Sequence, residues 1–506
     1  MSTKRQVFLN RIAPLTALCA SLLGGCVVGP NFSPPKADMP ARWISTPAQP
    51  LPSAVTPERA EDGAWWNSFS DPELSSLVDR AEASNMDARQ AVLRIQEARA
   101  QRSQAAAGAW PQVDAGGSYT NTRISERTAT TSLLGALGGG AKGAAPGGVS
   151  GALPGLANPF DLYQYGLNAS WELDLFGRVK RTVEAADADT AAAVDDAQAV
   201  RVSLAAEVAA AYIDLRAAQT REAVTTETLE TARGLLRLAN DARTAGLGDD
   251  LDVAEAEAEV ASAAAQLPPL EQQAAADRNQ LTLLLAERPG ALDVELVSAA
   301  ALPPAPPSVP VGLPADLARR RPDIRRAEAQ LHAATARQGV AVASLYPNIA
   351  LTASAGYEAS RPIALTDWAA HYFTVGPTLD VPIFDAGQRL ATVRLLDVRS
   401  REAALTYAQT VLGALHEVED AISAYDEEQT RRSALQAAVD HNQVTLALAR
   451  HRYQVGSVSF RDVLDADDKL EQARLALTSS LAATDEDLVV LYKALGGGWD
   501  DAPAGG

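Results

Sequence analysis

RTAGLGDDLDVAEAE, at residues Arg243 to Glu257, and YQVGSVSFRDVLDAD, at Tyr453 to Asp467, are one stretch written twice. At a constant offset of 210, Gly246 recurs as Gly456 and Asp252-Val253 as Asp462-Val463. The offset holds outward without a gap, carrying residues 177 to 285 onto 387 to 495. Gly177 recurs as Gly387, Glu207-Val208 as Glu417-Val418, and Leu281 and Leu285 as Leu491 and Leu495. Further upstream the register becomes 236, pairing Leu77 with Leu313, Asp87 with Asp323, Arg89 with Arg325 and Pro111 with Pro347, so the first copy carries 26 extra residues between Pro111 and Gly177. Solenoids and propellers repeat every 20 to 50 residues; a unit this long, seen twice, predicts an internal tandem repeat with pseudo-twofold character.

Residues 178 to 245 and 388 to 455 lack proline altogether. At 1.5 Å per residue each predicts a helix about 100 Å long. Val411, Leu415, Val418, Ile422 and Tyr425 follow the four-three spacing of a coiled-coil seam. Leu470, Leu477, Leu481, Leu488, Leu491 and Leu495 continue it on the way back. Each rod reverses at a glycine, Gly246 or Gly456, and restarts before an Asp. The expectation is two antiparallel helical hairpins, 178–286 and 387–495, acting either as spacers or as walls of something larger.

Four segments alternate with a period of two, the signature of a strand with unlike faces. In 162–174, Tyr163, Tyr165, Leu167, Ala169, Trp171 and Leu173 oppose Gln164, Asn168, Ser170, Glu172 and Asp174. In 348–358, Ile349, Leu351, Ala353, Ala355 and Tyr357 oppose Asn348, Thr352, Ser354 and Glu358. In 372–383, Phe373, Val375, Leu379, Val381 and Ile383 oppose Tyr372, Thr374, Thr378 and Asp380, and 112–121 is a weaker version. About ten residues suffice to cross a bilayer as a tilted strand. Four strands leave open edges, which lipid does not tolerate, so a membrane reading demands oligomers; a half-buried soluble sheet is the other reading.

The first 25 residues form a signal peptide, with Lys4, Arg5 and Arg11 ahead of the apolar run Ile12 to Leu23. Leu23-Gly24-Gly25-Cys26 fits a bacterial lipobox, making Cys26 the lipidated first residue of the mature chain. Removal of the signal takes Cys19 as well, so no intramolecular disulfide is available. After Cys26 no run of 18 apolar residues occurs, which excludes a transmembrane helix. The net charge of −19 argues against nucleic acid as a partner. The five His residues form no HExxH and have no Cys partner, so no metal site or cofactor is expected. Gly138, Gly140 and Gly143 spell GxGxxG in a low-complexity setting with no strand leading in, which reads as loop. With neither GxSxG elbow nor P-loop, no catalytic residue is expected and the chain does not read as an enzyme.

The chain resembles the outer membrane factor family, the TolC-like efflux ducts, and within it the lipoproteins that serve resistance-nodulation-division pumps. The resemblance rests on CVVGPNF at Cys26 to Phe32, WWNSFSDPEL at Trp65 to Leu74, RRPDIRRAE at Arg320 to Glu328 and YKALGGGW at Tyr492 to Trp499. It implies a mainly α protein with a transmembrane β-barrel: a homotrimer, four strands per protomer in one barrel of twelve, over a periplasmic α-barrel of antiparallel coiled-coil helices. It also implies an outer-membrane location with Cys26 acylated (palmitate among its lipids), extension into the periplasm, and a periplasmic adaptor and an inner-membrane pump as partners. Val27 after the lipobox, by similarity to bacterial lipoproteins, favours outer-membrane sorting.

On this plan the domains are a signal peptide at 1–25, a lipidated extended segment at 26–72, a first structural repeat at 73–290 and a Pro-rich linker at 291–312. A second repeat follows at 313–499 and a tail at 500–506. The loops 122–161 and 359–371 would face the exterior, the Gly-rich 132–155 covering part of the pore mouth. The family's tips meet the adaptor, and the matching residues here are Gly246, Leu247, Tyr453, Val455, Gly456 and Ser457. Asp462 and Asp465, with Asp252 and Glu255 in the first copy, match the acidic constriction of the tunnel; the alternative is that these carboxylates only favour a helix N-terminus. One departure stands out: the family's best-known member latches its closed state with a Tyr before the tip glycine and an Arg two residues after it, and here Tyr453 is present but Val458 fills the Arg position. The expected function is conduction of solutes from pump and adaptor to the exterior, as in multidrug resistance. The alternative is a lipid-anchored periplasmic coiled-coil adaptor or scaffold.

Overall fold

The computed structural model describes residues 27–36, 39–45, 53–58, 63–123, 159–246 and 248–497. Cys26 and the signal 1–25, the Gly-rich stretch 132–155, Leu247 and the tail 500–506 lie outside the described residues. Among the described residues the long α-helices are α1 (Pro72–Ser84), α2 (Met86–Ala107), α3 (Arg178–Thr244), α4 (Asp250–Leu284), α5 (Pro322–Ala343), α6 (Gln388–Gln454) and α7 (Phe460–Ala494). The strands are β1 (Ala54–Thr56), β2 (Gln112–Thr122), β3 (Phe160–Leu173), β4 (Ser308–Pro310), β5 (Asn348–Ala359) and β6 (His371–Asp380). Among the described residues no helix is long and apolar enough to cross a membrane.

The chain divides into two compact units. The first takes in 1–32, 100–187 and 333–400, and its centre is an antiparallel sheet in the order β2-β3-β5-β6. Register sorts the faces. Ala115, Leu167, Ala355 and Phe373 stand in one row, and Ala169, Ala353 and Val375 with Val113 in the next. The opposite face aligns Asp114, Asn168, Ser354 and Thr374, then Ser170 and Thr352 with Gln112. Since successive side chains alternate, an in-register sheet gathers each strand's apolar set onto one side. That side is bare in the protomer: Leu167 is 55%, Phe373 73% and Val375 64% exposed. Tyr119 lies against Tyr163 at 4.9 Å and Tyr165 stacks on Tyr357 at 5.4 Å, two cross-strand aromatic pairs in neighbouring rows of the same face. β6 ends at Asp380, short of the 372–383 segment read from the alternation, because Asp380 pairs with Asn348, the first residue of β5, and the ladder runs out of partner there.

Residues 27–32 belong to this unit. The N–H of Val28 donates to the carbonyl of Phe176 at 3.2 Å. A Cβ placed on Gly177 would sit 3.0 Å from Val27 Cα, so the glycine admits the crossing chain. Phe176 stacks on Tyr346 at 4.8 Å.

The second unit comprises 33–99, 188–332 and 401–506 and holds most of the buried apolar residues. Val411, Val418, Ile422 and Tyr425 are buried, while Leu415 is half-buried and Ala414 is buried instead. On α7 the seam is buried at Leu470, Leu488, Leu491 and Leu495, but Leu477 and Leu481 are only half-buried. Between them Thr478, Ser480, Thr484 and Asp485 are buried, so the middle of this helix packs through small polar side chains rather than leucines. The N-terminal segment is strapped to α6: Glu419 accepts the N–H groups of Ile44 and Ser45 at 2.7 and 2.9 Å, and Gln429 exchanges two hydrogen bonds with the Ser53 backbone. β1 continues it, pairing in parallel with β4. Three of the four signature motifs meet in this unit. Trp65 stacks on Tyr492 at 5.1 Å, and Arg321 donates to the carbonyl of Ala494 at 2.8 Å while holding Asp323 and Glu417.

Candidate functional site at the hairpin tips

The two reversals share a glycine and differ in chemistry. Gly246 and Gly456 have φ of 74° and 71°, the left-handed region that only glycine enters without strain. At the second tip the Gly456 N–H donates to the Tyr453 carbonyl and the Ser457 N–H to that of Arg452, both at 2.9 Å, the paired bonds of a Schellman ending. At the first, Gly246 donates to the Arg243 carbonyl at 3.0 Å and Gly248 to that of Ala242 at 3.2 Å. At the second tip Val455, Gly456 and Ser457 are exposed, leaving apolar and backbone groups open at the turn. Leu247 is the one matched tip residue outside the described set.

The helices restart on different caps at equivalent positions. Asp249 caps α4, accepting from Leu251 and Asp252 N–H at 2.9 and 3.0 Å. Ser459 caps α7 in a reciprocal box: its N–H and hydroxyl donate to Asp462 at 2.8 and 2.6 Å, and the Asp462 N–H donates back to its Oγ at 3.3 Å. The two Ser459 donors hold the Asp462 carboxyl below its ordinary range, so it is charged at neutral pH. Asp462 and Asp465 are exposed, while Asp252 and Glu255 are half-buried.

The tip core beneath them contains Leu235, Ala239, Val253, Ala256, Val439, Leu446, Phe460 and Val463, drawn from all four long helices. Tyr453 packs on Phe460 at 5.3 Å, and its hydroxyl reaches Asp252 Oδ2 at 3.5 Å, a long contact between the second hairpin and the first. Burial, then the Asp252 carboxylate, pushes the Tyr453 hydroxyl above its ordinary pKa, so it remains a donor. The structure therefore separates the four acids matched to a constriction: Asp462 is held by its own cap, Asp252 faces Tyr453, and Asp465 and Glu255 have no such tie among the described contacts. The pairing of Tyr453 with Asp252 is not legible in the sequence, because no spacing links residues 201 apart.

A sheet with one bare apolar face and two long helical hairpins defines a class, that of outer-membrane channels. The solved structure of the outer-membrane channel OprN matches at a TM-score of 0.82 and 34% identity, covering 94% of this chain and 100% of that one. The chain belongs to the outer membrane efflux protein family, which it matches over residues 77–287 and 313–497. Its relatives include the probable efflux pump outer membrane protein TtgC of Pseudomonas putida, 32% identical, with 96% of this chain and 95% of that protein covered. The outer membrane protein OprJ of Pseudomonas aeruginosa is 33% identical over the same shares.

Proposed function

We infer that this protein is the outer-membrane channel component of an efflux system, carrying solutes to the exterior from an inner-membrane pump and a periplasmic adaptor. The observation that carries the inference is the bare apolar face of β2-β3-β5-β6, whose rows of Leu, Val, Phe and Tyr suit lipid and whose opposite face suits water. A coiled-coil adaptor has no use for such a face.

The sheet's edges, β2 and β6, lack partners among the described residues of the protomer. Unpaired backbone is excluded from hydrocarbon. Because all neighbours are antiparallel, β6 of one copy pairs in the same sense with β2 of the next; three copies close twelve strands, and the long helices follow as a trimeric α-barrel. The repeat boundaries 73–290 and 313–499, with the linker 291–312, supply the two strand pairs and two hairpins of each protomer. Lipidation at Cys26 fits the neighbouring segment, since Val27 and Val28 lie where β3 passes into α3. On this reading Gly246, Leu247, Val455, Gly456 and Ser457 form the adaptor-facing tips, and Asp462 and Asp465 from three protomers ring the axis, drawing cations. Tyr453 and Asp252 tie the hairpins in the resting state, taking over what the absent Arg does in the family. The pump is of the resistance-nodulation-division type.

The test is to place charge on the lipid face. Leu351→Arg/Val375→Arg should cost about 2–4 kcal/mol per side chain at mid-membrane and leave little protein in outer-membrane fractions. Normal amounts of inserted oligomer from that double variant would sink the reading.

A further inference from the structure

We propose that Glu259 on α4, with Asp468 and Glu471 on α7, forms a binding site for a divalent cation of the Ca²⁺ class, one per protomer, tying the returning helices of the two hairpins together. One carboxylate oxygen from each of the three lies within 4.8 Å of the others. Oxygens that a Ca²⁺ ion holds at about 2.3–2.6 Å stand at most about 5 Å apart across the ion, so the three are close enough to share one shell after small side-chain adjustments. The donor set is all oxygen, which selects a hard ion over Zn²⁺ or Cu²⁺.

The second observation is Glu471 itself. The residue is 9% exposed, and its Oε1 is buried without any hydrogen-bond partner. An unpartnered buried carboxylate oxygen is costly, and the side-chain hydrogen bond this group does receive comes from Gln266. Two basic residues of the helical hairpins pair with other acids: Arg450 reaches Asp467 at 3.5 Å and Arg474 pairs with Glu227 at 2.9 Å. Glu471 and Glu259 are both held above the ordinary carboxyl range, by burial first and then by the surrounding carboxylates. An ion relieves that repulsion.

Glu259 is half-buried and Asp468 exposed, which leaves one side open for waters to complete the shell. The site has no twin in the other copy. At the offset of 210 its members correspond to Lys469, Ala258 and Ala261, which cannot bind a cation together. The inference goes beyond conduction and does not depend on it, because binding is read directly.

Ca²⁺ titration of the purified full-length protein in detergent, followed calorimetrically, tests it. About one ion per chain is expected, with a dissociation constant of about 10⁻⁴–10⁻³ M. Glu259→Gln/Glu471→Gln should abolish binding, and Ca²⁺ should slow amide exchange in α4 and α7 around the site in the native protein only. Asp468→Asn, at an exposed position, is expected to fold normally and to weaken binding tenfold or more, which keeps the test decisive should the buried pair of substitutions unfold the chain. Unchanged affinity in Asp468→Asn, or a Ca²⁺ signal that disappears only in Asp462→Asn/Asp465→Asn, overturns the proposal.

Discussion

Ser459 and Asp249 occupy the same place in the two copies and close their helices by different means. Ser459 engages Asp462 reciprocally, so Ser459→Ala should weaken the start of α7 by about 1 kcal/mol. Faster amide exchange at residues 460–464, with the rest of α7 unchanged, is the expected readout. The sequence left two readings of Asp462, helix cap and constriction. Its carboxylate is a capping group in the structure, and its charge at the tip remains available for the second role. Further along α7, burial pushes Asp485 up to about 8 despite the nearby Arg432. The folded chain keeps a proton there that the unfolded chain loses near 3.8, so this site's contribution to stability falls as pH rises from about 4 to about 8. Glu486, raised to about 7 by burial and then by Asp214, acts with the same sign. Asp485→Asn should raise the thermal midpoint at pH 8.5 and leave it nearly unchanged at pH 4; the reverse order would contradict the burial argument.

At the scale of elements, the rods and the alternating strands were legible because each shows its own period over many residues. What was not legible came from partners distant in sequence. Glu419 as the clamp for residues 44 and 45 lies 375 positions from Ile44, and nothing local marks it. The seam on α7 was read as leucines throughout, and the buried Thr478, Ser480 and Thr484 show where close packing of small side chains replaces them. The copies differ most at this level. Thr478 and Ser479 bond back to the carbonyls of Arg474 and Leu475, whereas their counterparts in α4 are Pro268 and Pro269. Each proline removes a helical N–H from the ladder and crowds the carbonyl four residues earlier. Pro268→Ala/Pro269→Ala should therefore stabilise α4 by about 1–3 kcal/mol, read as slower exchange over residues 262–272. Faster exchange there would show that the prolines support the helix.

For the whole molecule, the motifs that carry the family likeness serve the fold rather than chemistry. Trp65 stacked on Tyr492, and Arg321 bound to the carbonyl of Ala494, fasten the N-terminal segment, the end of α7 and the start of α5 within one unit. Their conspicuous spelling made the family recognisable, yet nothing in the spelling revealed that they touch. Trp65→Ala should cost about 3–5 kcal/mol and lower the yield of folded protein without altering the tips. The central claim is conduction, and single-channel current through the purified full-length protein in a planar bilayer tests it most directly, beside Asp462→Ala/Asp465→Ala. A small cation-selective current is expected from the native protein, growing or losing its selectivity in the variant. Folded, inserted protein that passes no current in either form would contradict it.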